Sequence, residues 1–248
     1  MKIQPTSVVC ILTFSLLLIS CKGADGPVGA SGPKLKGDIT GLVLLLNEDG
    51  SQPSNKSGVS ITIEGTSYTA TTDASGSYTI AGVETGIYSI TYSKTGYGLT
   101  KNLKYQFSGG GQAFVGTTTL CQPATFSVSN LSNPSGSTIA ITLSPAVTAI
   151  KSVILFIGNN NSVSSNPQNY LTAIVFVSST FTNGVLSTSL SQSTYRSAGL
   201  VSGNTAYIIA YGINDGSRFS GYTDFSTGRF VYTSVGATPS NVLSITVP

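Results

Sequence analysis

Beyond Gly37 the apolar positions of the chain alternate with Ser, Thr and Gly. Val59, Ile61 and Ile63 share one parity, and Ser60, Thr62 and Glu64 share the other. Tyr88, Ile90 and Tyr92 repeat the pattern, as do Ile139, Ile141 and Leu143, then Leu243, Ile245 and Val247. Side chains of an extended strand point alternately to opposite faces, so period two in short runs predicts half-buried antiparallel strands. Gly and Asn between the runs supply the turns. No window carries a stripe at helical spacing. The pattern predicts an all-β chain of two antiparallel β-sandwich domains in tandem, preceded by a leader and a flexible linker.

Punctuation places the boundaries. Gly109-Gly110-Gly111 loosens the chain, one strand around Phe114–Leu120 follows, and Pro123 interrupts. Division there gives a module over residues 37–122 and another over 123–248. The second carries Lys151, Arg196, Asp215, Arg218, Asp224 and Arg229 as its charges, so its surface is built mainly from Ser, Thr and Asn. In the first, Asp73-Ala74-Ser75-Gly76 predicts a hairpin turn. Asp73 accepts backbone N–H bonds there, Gly76 takes positive φ, and Tyr78 and Ile80 turn together into the core.

Residues 1–21 obey another rule. Lys2 is followed by Val8-Val9-Cys10-Ile11-Leu12 and Leu16-Leu17-Leu18-Ile19, an apolar core short of the ~20 residues of a spanning helix. This predicts a signal peptide. Its end, Leu18-Ile19-Ser20-Cys21, resembles the bacterial lipobox. The resemblance implies cleavage before Cys21, a diacylglycerol thioether on its sulfur, acylation of the new amino terminus and a membrane partner through that anchor. Lys22 in place of Asp implies the outer membrane, with surface exposure left open. In residues 22–36, Gly23, Gly26, Gly29 and Gly32 fall at every third position, beside Pro27 and Pro33. The tract resembles a degenerate collagen-like repeat. It is too short for a stable triple helix and predicts an extended tether reaching about 45 Å at ~3.1 Å per residue.

The stretch from Gly41 to Tyr97 runs Gly41-Leu42-Val43, Gly58-Val59-Ser60-Ile61, Thr72-Asp73-Ala74-Ser75-Gly76-Ser77-Tyr78-Thr79-Ile80, Gly86-Ile87-Tyr88-Ser89-Ile90 and Gly96-Tyr97. It resembles the carboxypeptidase-regulatory-like domain, a transthyretin-like sandwich, over most of residues 37–120. The resemblance implies a non-catalytic module and, through related starch-binding sandwiches, sugar binding. Leu200 to Tyr211 resembles the tyrosine-corner strand of fibronectin type III domains, where a phenol bonds back to upstream backbone. Ser240–Pro248 is similar to the last strand of that fold. Gly203 lies one residue further from Tyr207 than that pattern has it, and the early core Trp is missing. A generic immunoglobulin-like sandwich is the alternative.

Composition narrows the chemistry. Among 248 residues there is no His, charged residues make up 8%, and the formal charge is +3. The absence of His excludes His-based triads and His-ligated metals. The small, dispersed charge excludes a nucleic-acid footprint. With Cys21 lipidated, Cys121 has no partner for an intrachain disulfide and reads first as a small thiol at a strand end, a reactive role needing a nearby base or cation to lower its pKa. Asp215 and Asp224 lie near Arg218 and Arg229, which predicts salt bridges in place of a glycosidase pair. Asp73 and Asn47-Glu48-Asp49-Gly50 read as turns before calcium loops, since calcium takes several oxygen ligands. No catalytic residue, metal or cofactor is expected. Phe219, Tyr222 and Phe225 in a Gly/Ser-rich loop form a candidate ligand-contact loop. The expected function is that of a non-enzymatic, lipid-anchored cell-envelope protein presenting β-sandwich modules for structural or adhesive protein interaction. The alternative is a carbohydrate-binding accessory lipoprotein for nutrient uptake.

Overall fold

A computed structural model of the chain describes residues 32–136, 138–144, 150–214 and 220–248. The signal peptide, Cys21 and most of the tether lie outside the described residues, as do Asp215, Arg218 and Phe219. Residues from Lys34 to Pro248 form one compact unit.

The strands β1 (Lys36–Leu46), β2 (Ser60–Ile63), β3 (Thr69–Thr71), β4 (Ser77–Glu84), β5 (Gly86–Ser93), β6 (Thr100–Phe107) and β7 (Gln112–Cys121) make two sheets. One has the order β4-β1-β7, and the other has the order β3-β2-β5-β6. Every pair is antiparallel except β1 with β7, which run parallel from Asp38↔Gln112 to Leu46↔Cys121. The sheets close on Ile39, Val43, Leu45, Val59, Ile61, Ile63, Ile80, Ile90 and two tyrosines. Val59, Ile61 and Ile63 are buried while Ser60, Thr62 and Glu64 are exposed, as the alternation predicts. Each such side chain contributes about 1.5–3 kcal/mol on burial. The turn into β4 also forms as expected. The Asp73 carboxylate accepts the Ser75 and Ser77 N–H groups at 2.8 and 3.0 Å. Gly76 sits at φ +92°, with its would-be Cβ 2.2 Å from the Val43 carbonyl, so no side chain fits.

Beyond Pro123 lie β8 (Ser127–Ser135), β9 (Thr138–Ser144), β10 (Ile150–Gly158), β11 (Thr172–Thr180), β12 (Val185–Ser189), β13 (Thr205–Ile213), β14 (Gly221–Asp224), β15 (Arg229–Tyr232) and β16 (Leu243–Thr246). They form sheets ordered β11-β10-β13-β16 and β12-β9-β8, and a separate hairpin, β14-β15. One helical turn, α1 (Gln192–Ser197), is capped by Ser191 and buries Tyr195 in the core. The run Val153–Ile157 does not alternate because both faces of β10 are covered. Val153, Leu155 and Ile157 join the inner core, whereas Ile154 and Phe156 join an outer cluster with Val163, Tyr170, Ile209, Tyr211 and Ile213. Tyr207 packs at the edge of that outer cluster. The tyrosine-corner bond expected of it is not formed among the described residues, because its ring lies on the outward face of β13.

The two halves meet through polar contacts. Asn214, fully buried, donates from Nδ2 to the carbonyls of Asn47 at 2.7 Å and Gln122 at 3.0 Å. The Glu48 carboxylate accepts the Thr125 N–H at 3.0 Å and its hydroxyl at 2.6 Å.

Candidate functional site

The hairpin β14-β15 leaves the second sandwich and seats beside β6 of the first. Gly221 opens it at φ +137°, where a Cβ would lie 2.3 Å from the Val231 carbonyl. Pairing then runs from Gly221↔Tyr232 to Asp224↔Arg229. Tyr222 therefore stands in a strand and not in a loop, as the Gly/Ser-rich surroundings had suggested. Phe225, at the turn, is 56% exposed. Phe219 lies outside the described residues.

The expected Asp224–Arg229 salt bridge does not form. Asp224 turns inward to its own turn, accepting the Ser226 N–H and hydroxyl, each at 2.8 Å. Those bonds hold its carboxyl below the ordinary carboxylate range. Arg229 instead donates from Nη1 to the Pro167 carbonyl at 2.8 Å. On the same side, the Tyr170 phenol donates to the Phe230 carbonyl. Burial pushes that phenol up to about 12. The Phe156 ring meets that of Tyr170 at a tilt, with centroids 4.9 Å apart, and that of Tyr232 edge-on at 5.7 Å. The rings thus pin one face of the hairpin to β10.

The other face is pinned by one hydroxyl. Thr100 Oγ1 donates to the Gly221 carbonyl at 2.6 Å and accepts the Gly221 N–H at 3.2 Å, using both of its capacities. Between hairpin, β6 and β7 opens a groove of about 390 Å³, lined by Thr100, Asn102, Thr117, Thr119, Tyr222 and Phe225. Lys101 Nζ lies 5.6 Å from the Tyr222 ring and 2.6 Å from Glu64 Oε1. Their hydrogen bond lowers the Glu64 carboxyl and raises the Lys101 ammonium. Lys104 Nζ stands 4.3 Å over the Phe225 ring.

Lys104 holds φ +57° because β6 bulges there. Asn102 pairs with Ile90 and Tyr105 with Tyr88, so Leu103 and Lys104 face Ser89 alone. The bulge spoils β6 as a template for an added strand, although β6 and β7 are both sheet edges. Thr118, in the groove floor, is hydrogen-bonded to Tyr92. The Tyr92 phenol lies 2.9 Å from that of Tyr78, and burial raises both phenols. The floor is thereby tied to the core.

Of the residues expected from the sequence, Tyr222 and Phe225 line this groove, and the residues of the first sandwich that line it with them were not expected. The available signals were the break in period two at Lys101-Asn102-Leu103-Lys104 and the Thr117-Thr118-Thr119 run. Nothing in the sequence joined either to residue 222.

Cys121 ends β7 fully buried. Burial pushes its thiol up to about 11 against a lowering hydrogen bond from Ser220. At neutral pH it is a protonated thiol and not a nucleophile. Among the described residues, no group of three or more His, Cys, Asp or Glu could hold a metal ion, and no helix is long and apolar enough to cross a membrane.

Residues 40–119 match the family model of the carboxypeptidase regulatory-like domain, so that stretch carries this domain. A search of curated proteins found no match. Among solved structures, a type II cohesin–X-dockerin complex from Acetivibrio cellulolyticus is 20% identical at a TM-score of 0.31, over 35% of this chain. This chain spans 58% of the length of that one. A proposed carbohydrate binding protein from Bacteroides uniformis is 16% identical at a TM-score of 0.29, covering 86% of this chain and 99% of its own. A DUF3823 family protein from Bacteroides ovatus is 15% identical at a TM-score of 0.29, covering 87% of this chain and 100% of its own.

Proposed function

We propose that this is a non-enzymatic, lipid-anchored protein of the outer cell envelope that holds a glycan in the groove between its two β-sandwich modules. The observation that carries the reading is Tyr222, an aromatic face fixed at the edge of a preformed trough of hydroxyl and amide side chains. Sugars present an apolar ring face and a rim of hydroxyls, and this pairing of surfaces is complementary to both. The bulge in β6 counts against peptide capture by strand addition. Among the described residues, neither Asp224, tied into its own turn, nor Glu64, paired with Lys101, faces a second carboxylate in the way glycoside hydrolysis requires.

The lipobox-like Leu18-Ile19-Ser20-Cys21 supports the anchor, and Lys22 supports the outer membrane. A protein ligand for structural or adhesive contact is the second reading, favoured by the exposed Phe225 ring beside Lys104. A glycan array tests the first reading. Binding is expected on at least one class of glycan, with Tyr222→Ala losing it at an unchanged melting temperature. An array that stays blank rejects the glycan and leaves the protein ligand. Metabolic labelling with a radioactive fatty acid tests the anchor: the label is expected to enter the protein and to disappear in Cys21→Ala.

A further inference from the structure

Tyr222 has a second side. Together with Lys101 and Leu103 it also walls a groove of about 560 Å³, whose far bank is Ser165, Asn166 and Pro167 of the β10–β11 connection. That bank is a built surface. Arg229 fastens Pro167 to the hairpin at 2.8 Å. Asn166 Oδ1 accepts the Gln168 N–H at 2.9 Å, and its carbonyl accepts the Asn169 N–H at 2.9 Å. Lys101, Leu103 and Tyr222 belong to both linings, so the two troughs adjoin across one aromatic ridge. Charge along the run is locally balanced. The charged side chains in the two linings, Lys101 and Asp224, are of opposite sign, and Lys101 is paired besides with Glu64 at 2.6 Å. No single-sign field is left to favour a polyanion.

We infer that the ligand is a linear, uncharged oligosaccharide that crosses over Tyr222 and places sugar units in both troughs. This rests on the glycan reading above and adds the shape and charge of the ligand. The ring holds the central unit by its apolar face, while hydroxyl and amide groups on either side take the flanking units. A short sugar fills one trough and leaves the other to water, so affinity rises with chain length until both are occupied.

The test is calorimetric titration of the full chain in detergent with malto-, cello- and xylo-oligosaccharides, from disaccharide to hexasaccharide. In at least one series the hexasaccharide is expected to bind about tenfold more tightly than the disaccharide, a difference of about 1.4 kcal/mol. Asn166→Ala is expected to cancel that gain and leave the disaccharide affinity unchanged. Ser165→Tyr, which fills the second trough without removing a turn hydrogen bond, is expected to do the same. Equal affinity at all lengths, or a gain that survives both variants, overturns the inference and leaves a glycan site of one trough. Failure of every series at every length overturns the glycan reading and this inference with it.

Discussion

At Cys121 and Tyr170, burial decides which protonation state the fold accepts. The thiol, ordinarily titrating near 9.0, is pushed up to about 11, and the phenol, ordinarily near 10.0, up to about 12. Each keeps its proton in the folded state at a pH where the unfolded chain has released it. Unfolding then releases protons, so stability falls as pH rises. Both contributions are intact below pH 9 and are lost progressively toward pH 11 and 12. Urea titrations at stepped pH check this: the midpoint is expected to hold to about pH 9 and to decline above it. Iodoacetamide at neutral pH is expected to leave Cys121 unmodified in the native protein and to alkylate it in urea. Residue-scale features of this kind were partly legible in the sequence. Asp73 and Gly76 declare a turn because only local backbone is involved. The place of Cys121 at a strand end was also legible. Its complete burial was not, because one of its neighbours, Ser220, comes from across the junction.

The element on which the site depends is the hairpin β14-β15. Its rings clamp it to β10, and Thr100 clamps it to β6, so both banks of Tyr222 are fixed before any ligand arrives. Thr100→Val keeps the shape and removes the hydroxyl that serves both Gly221 groups. The loss is expected to cost about 1 kcal/mol of stability. It is also expected to speed amide exchange over residues 221–232 while β1 and β7 stay protected, as hydrogen–deuterium exchange would read. This hairpin was the least legible element. A run of Gly, Ser and Thr around alternating aromatics looks like a loop, and a two-stranded ribbon gains its stability from what it packs against. By contrast, Val59–Ile63 and Leu243–Val247 were plain, since one face of each is buried and the other is wet or polar. The uninterrupted Val153–Ile157 run signals cover on both faces but does not say that the cover is Tyr170 and Tyr232.

Across the whole molecule, Asn214 couples the halves. It satisfies the Asn47 and Gln122 carbonyls from a position with no solvent access. Asn214→Ala leaves both acceptors buried without that donor and is expected to cost about 2 kcal/mol or more. In scanning calorimetry, the native protein is expected to melt in one transition and the variant in two. No spacing or periodicity in the sequence foretold that link, because its partners lie far apart along the chain. The order of strands in the first sandwich has its own bearing on the molecule. The chain enters at the start of β1 and departs for the second sandwich from the end of β7, and these neighbours run parallel. Tension between the amino-terminal segment and the distal module therefore drags the two strands lengthwise past each other. Their ladder must give way all at once and cannot be peeled open rung by rung. The first sandwich thus resists a pull along the chain by shear over the full length of that ladder.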